Sequence, residues 1–74
     1  MKRNHPGILR RIIATNIRKL RTEKGLSQQA LALEIDMDRT YVGGVERGER
    51  NLSIDNLERI AAGLQIEPWK LLIG

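Results

Sequence analysis

The most constraining feature of the chain is a pair of short amphipathic segments, about 28–35 and about 39–47, held only three residues apart. So brief a link is the spacing of a helix-turn-helix. Ser27 stands ahead of the first segment, where its hydroxyl can accept from a backbone N–H that the first helical turn leaves unpaired. Leu31, Ala32 and Ile35 mark that helix's inner face, and Asp36, a residue that tolerates positive φ, stops it. Asp38 caps the next helix, Val42 and Val45 turn inward, and Gly48 ends it.

The remaining punctuation extends this all-helical pattern. Ile8, Leu9, Ile12, Ile13, Ile17 and Leu20 keep one face of a helix over roughly 8–24 apolar, until Lys24-Gly25 closes it. Residues 1–7, with Asn4, Pro6 and Gly7, read as a loose, flexible arm. Ser53 caps a fourth helix in which Ile54, Leu57, Ile60, Ala61 and Leu64 recur at three and four, with Asp55 and Glu58 near its electropositive start. Glu67-Pro68 opens a short fifth element, since proline at the first helical position forfeits a bond that would be missing anyway; Trp69, Leu72 and Ile73 form its apolar side. No strand alternation or internal repeat occurs. The expected fold is all-α: a compact bundle of five short helices in one domain, 8–74, with a helix-turn-helix at 28–47.

At 74 residues the chain can bury only about 60% of the surface its unfolded form exposes, enough for one core. Cysteine is absent, which removes thiolate catalysis, disulfides and Cys-based zinc sites; the single histidine, His5, cannot hold a metal alone. No paired carboxylates converge by spacing, and neither a G-x-G-x-x-G run nor a phosphate-loop lysine is present. The reading is a non-enzyme without cofactor or metal. No apolar run reaches membrane-spanning length, and the first residues lack a signal-peptide core, so the expected compartment is the cytoplasm. The net charge is +4, unevenly spread: residues 1–26 hold eight Lys/Arg (Lys2, Arg3, Arg10, Arg11, Arg18, Lys19, Arg21, Lys24) against Glu23 alone. Such a segment invites a polyanion, nucleic acid first; a solvated helix face is the plainer alternative.

The run Gly25-Leu26-Ser27-Gln28-Gln29-Ala30-Leu31-Ala32, followed by Asp38-Arg39-Thr40-Tyr41-Val42 and Val45-Glu46-Arg47-Gly48, resembles the Cro/CI-repressor (Xre) helix-turn-helix family over roughly residues 14–72. Arg39-Thr40-Tyr41 and Glu46-Arg47-Gly48-Glu49-Arg50-Asn51 are most similar to the controller proteins of restriction–modification systems. The resemblance implies a lambda-repressor-like DNA-binding domain. With Val42, Val45 and Glu46 turned inward, Arg39, Thr40, Gly43, Gly44 and Arg47 line the side that meets DNA. Arg39 is the expected base reader, because its planar fork can donate twice to guanine O6 and N7, worth about 1–3 kcal/mol of discrimination. Thr40 can bond a base edge or touch a thymine methyl, and Tyr41 suits a phosphate or groove-edge contact.

The same resemblance implies backbone contacts by Gln28, Arg47, Arg50 and Asn51, and a structural ion pair between Arg21 and Glu46. Glu46 lies on the buried side of its helix and needs a partner; Arg21 can supply a bidentate one. Asp36 replaces the usual turn glycine, and Gln65 stands where a helix-ending glycine is common. Asp38 places a negative charge near phosphates, where it either accepts from cytosine N4 or weakens binding. The interior pair Gly43-Gly44 removes side chains from the DNA face, so either the helix sits deep in the groove or readout leans on Arg39, Thr40 and DNA deformability. Relatives pair through their C-terminal helices, which implies Ile66, Trp69, Leu72 and Ile73 at a homodimer interface, with Trp69 also a candidate for the monomer core.

The function implied is a sequence-specific dimeric transcriptional regulator that binds a pseudo-palindromic operator in double-stranded DNA. Its sharper form is the controller of a restriction–modification operon, with RNA polymerase as a candidate partner. Alternatives are a phage-type repressor, an autoregulating antitoxin, or a protein-interaction module that reads no bases.

Overall fold

Serine hydroxyls start two of the helices. Ser27 Oγ accepts from the N–H of Ala30 at 2.9 Å, and Ser53 Oγ from that of Asn56 at 3.1 Å. Each bond satisfies an orphan donor of a first turn and stabilises its helix by about 1 kcal/mol. In the computed structural model, which describes residues 7–74, the elements in chain order are α1 (Ile8–Glu23), α2 (Gln28–Glu34), α3 (Arg39–Glu46), α4 (Ile54–Leu64) and a 3-10 turn (Pro68–Leu72). The first six residues of the expected arm, with Lys2, Arg3 and His5, lie outside the described residues.

The expected bundle of five helices is therefore four α-helices and a 3-10 turn. The fifth segment is five residues long, too short for a stable α-helix on its own. Its carbonyls are also claimed from outside: Asn16 Nδ2 on α1 donates to Leu71 O at 2.9 Å and to Ile73 O at 2.7 Å. Asp38 departs from expectation as well. Its backbone has the extended geometry of a cap, but its carboxylate makes no capping bond and stays in solvent.

One core joins all five elements. Ile13 and Ile17 of α1, Leu31, Ala32 and Ile35 from α2 and its end, Val42 and Val45 of α3, Ile60, Ala61 and Leu64 of α4, and Leu71 are all buried. The ends of the expected apolar stripes are not: Ile8, Leu9 and Ile54 are exposed. All three sit in the first turn of a helix, where the Cα–Cβ bond tilts toward the N-terminus and carries the side chain off the end of the core. At the C-terminus Leu71 enters the core, while Trp69, Leu72 and Ile73 are exposed. Trp69 thus does not fill the monomer core.

The turn between α2 and α3 is pinned rather than merely permitted. Asp36 adopts φ 56°, a left-handed conformation that most side chains resist. Arg59 of α4 holds it by donating from Nη2 to Ile35 O at 2.6 Å and to Asp36 O at 3.2 Å. Gly63 lets α4 come this near: a Cβ there would stand 2.5 Å from Ile35 Cγ2. Gln65, at φ 59°, ends α4 in the left-handed conformation without a glycine.

Candidate nucleic-acid interface

The orientation of α3 is set from behind by one carboxylate. Glu46 Oε2 accepts from Arg21 Nε at 2.5 Å, while Oε1 accepts from Arg21 Nη2 at 2.9 Å and from Gln28 Nε2 at 3.0 Å. Arg21 Nη1 also donates to Leu26 O at 2.7 Å, in the loop between α1 and α2. The Glu46 side chain is only 3% exposed and that of Arg21 11%. Three helices therefore meet on a desolvated, bidentate pair whose donors and acceptors are matched. The expected Arg21–Glu46 pair is present, and Gln28 belongs to it, its amide turned toward Glu46.

In front, the first turn of α3 presents Arg39 and Thr40 to solvent. Arg39 makes no ion pair among the described residues, so its five N–H donors are free for an external acceptor. Behind them, on the same arc of the helix, lie Gly43 and Gly44. The expectation of a bare glycine face is corrected here, because both glycines are buried. Arg47 and Gln28 cover Gly43, and Arg50 covers Gly44.

Tyr41 is half-buried against the core, and its hydroxyl accepts from Asn56 Nδ2 at 3.1 Å, which leaves the phenolic proton free to donate. The Arg50 guanidinium lies over the Tyr41 ring, 5.5 Å from its centroid. Arg47 and Glu49 form an exposed pair at 3.0 Å, which contributes little to stability. Asn51 is exposed beside Arg50, and Arg10 of α1 lines the same recess as both. Helix α1 thus brings a cation to the end of α3, which the charge excess of residues 1–26 signals without locating it. Asn16, Arg59 and Gly63, which position these elements, carry no local sequence signal.

At the C-terminus, Ile66 is half-buried against the core, whereas Trp69 is 55% exposed with Leu72 and Ile73 also open to solvent. Lys70 Nζ lies over the Trp69 ring at 5.9 Å. No helix among the described residues is long and apolar enough to cross a membrane.

Comparisons with known proteins agree with this geometry. A family model described as helix-turn-helix matches residues 17–68. Control protein C.BamHI of Bacillus amyloliquefaciens is 42% identical over 65 residues, spanning 86% of this chain and 80% of its own. A Neisseria meningitidis hypothetical transcription factor is 43% identical over 65 residues, and the chain spans only 61% of that longer protein. The crystal structure of the restriction–modification controller protein C.AhdI from Aeromonas hydrophila superposes with a TM-score of 0.81 at 50% identity, over 84% of this chain and 94% of that one. The controller protein C.Esp1396I, solved as a tetramer on its natural 35 base-pair operator, superposes with a TM-score of 0.78 at 43% identity, over 81% of this chain and 79% of that one. The chain belongs to the Cro/CI-type helix-turn-helix family, with restriction–modification control proteins among its relatives.

Proposed function

We propose that the protein is a sequence-specific transcriptional regulator that works as a homodimer and inserts α3 into the major groove of operator DNA. The observation that carries this reading is the exposed Arg39 and Thr40 at the leading end of a helix whose rear is locked by Arg21, Glu46 and Gln28. A major groove about 12 Å wide admits such a helix, and N-terminal side chains of the helix reach base edges first. Arg39 reads a guanine and Thr40 a neighbouring base edge. Tyr41, Arg47, Arg50 and Asn51 hold phosphates at the flank, with Arg10 adding charge on that side. Gln28, committed to Glu46, supports α3 and offers its oxygen rather than its amide to the DNA side.

One such domain touches too few base pairs for useful specificity, and pairing through Trp69, Leu72 and Ile73 doubles the site. Two copies then place their α3 helices about 34 Å apart on a pseudo-palindrome with half-sites one turn apart. The sharper form of the proposal is a controller of a restriction–modification operon that acts by where its operator lies relative to the RNA polymerase site.

The test is selection of binding sites from random duplexes, followed by salt titration. A palindromic consensus, a log–log salt slope near −0.9 per phosphate neutralised, and a preference of at least about a thousandfold over random DNA support the reading. Equal affinity for every duplex overturns base readout.

A further inference from the structure

Gly43 and Gly44 share the outward arc of α3 with Arg39 and Thr40, yet both are buried. What covers them comes chiefly from the arginines just past the end of the helix, with Gln28 of α2 beside Gly43. A Cβ on Gly43 would stand 3.1 Å from Arg47 Nη1 and 3.5 Å from Gln28 Oε1. A Cβ on Gly44 would stand 3.0 Å from Arg50 Cγ and 3.1 Å from Arg50 Nε. Ordinary packing of a methyl group begins near 3.4 Å, so either arginine must shift to admit one.

The two seats differ in stiffness. At Gly43 the opposing atom is the far tip of Arg47, which can swing aside. At Gly44 it is the middle of the Arg50 side chain, whose guanidinium is further held over the Tyr41 ring. Lifting Arg50 off Gly44 therefore also moves it off Tyr41.

We propose that Gly44 is a positioning residue: it seats the Arg50 side chain flat across the recognition helix, so that the guanidinium meets DNA already in place. Gly43 does the same, more weakly, for Arg47. An arginine held in advance loses less side-chain freedom on binding than one recruited from solvent. The seat also explains two glycines inside an eight-residue helix, where each is unfavourable by propensity. This inference rests on the DNA-binding reading above and adds a residue that acts without touching DNA.

The experiment uses the full chain and a duplex recovered by the wild-type protein from a random pool. Gly44→Ala, Arg50→Ala and the double variant are compared by affinity at fixed salt and by thermal melting. Gly44→Ala is expected to bind about tenfold more weakly, in line with loss of one charge-assisted contact, while melting no lower than wild type because alanine favours the helix. In the Arg50→Ala background the added Gly44→Ala is expected to change affinity less than about twofold, the non-additivity of two residues in contact. Gly43→Ala should weaken binding by a smaller factor than Gly44→Ala. The seat is overturned if Gly44→Ala binds as wild type does, or if it weakens binding equally with and without Arg50, which would mean that its methyl group meets DNA directly. Failure of the wild-type protein to select any duplex overturns the DNA reading itself, and the seat with it; specific wild-type binding with an indifferent Gly44→Ala removes the seat alone.

Discussion

The α2–turn–α3 unit (Gln28–Glu46) and the much shorter C-terminal turn (Pro68–Leu72) contrast in how far each is completed within one molecule. In the former, Glu46 has three donors, the Asp36 turn is held by Arg59, and Val42 and Val45 are buried, with Leu33 its single exposed large apolar side chain. In the latter, Leu71 is buried and Asn16 holds two carbonyls, while Trp69, Leu72 and Ile73 stay exposed. A reading element must be rigid before it meets its target, since any looseness is lost again as entropy on binding. An element that leaves large apolar side chains in water has surface in reserve for a second body.

Three substitutions would break or sharpen that contrast, and the largest effect falls in the finished region. Glu46→Ala strands the Arg21 guanidinium in a nearly closed site and should cost about 3–5 kcal/mol. For a domain of this size that lowers the melting temperature by roughly 12 °C or more, and a shift of only a few degrees would show the buttress to be dispensable. Leu71→Ala comes next, at about 2–3 kcal/mol, toward the low end for buried leucine because a terminal segment can settle partly into the gap. Thermal or urea melting measures it, and a loss below about 1 kcal/mol would mean that the turn is not anchored by Leu71.

Trp69→Ala should move the fold least, within about 0.5 kcal/mol at low concentration, because the indole is largely in water. Its effect belongs to assembly. Sedimentation at micromolar concentration should show a dimer for the wild type and the 8.4 kDa species for Trp69→Ala. A wild-type protein that stays at 8.4 kDa with and without operator would remove the pairing role from this surface.

Much of the finished region was legible in the residues because its determinants are local. Ser27 and Ser53 precede apolar repeats, and caps act within one turn. The inward face of α3 shows that Glu46 needs a partner, and the family resemblance implies that Arg21 supplies it. The misreadings lie where distant contacts decide. Gly43 and Gly44 looked bare because helical periodicity assigns an arc but does not show that Arg47 and Arg50 fold back over it. The last element reads as a short helix whose apolar side is Trp69, Leu72 and Ile73. In the fold, Asn16, 55 residues before Leu71, takes its carbonyl and selects a turn that buries Leu71 instead. Nothing local signals Gly63 and Arg59, because their roles exist only once α4 lies against the end of α2.

The central claim is that the outward end of α3 reads bases through Arg39. Binding-site selection repeated with Arg39→Ala tests it most directly. The expected result is a palindromic consensus in which preference is lost at one base pair per half-site, with the other positions and the salt slope retained. Uniform weakening at every position, with a shallower salt slope, would contradict the claim and reduce Arg39 to one more phosphate contact.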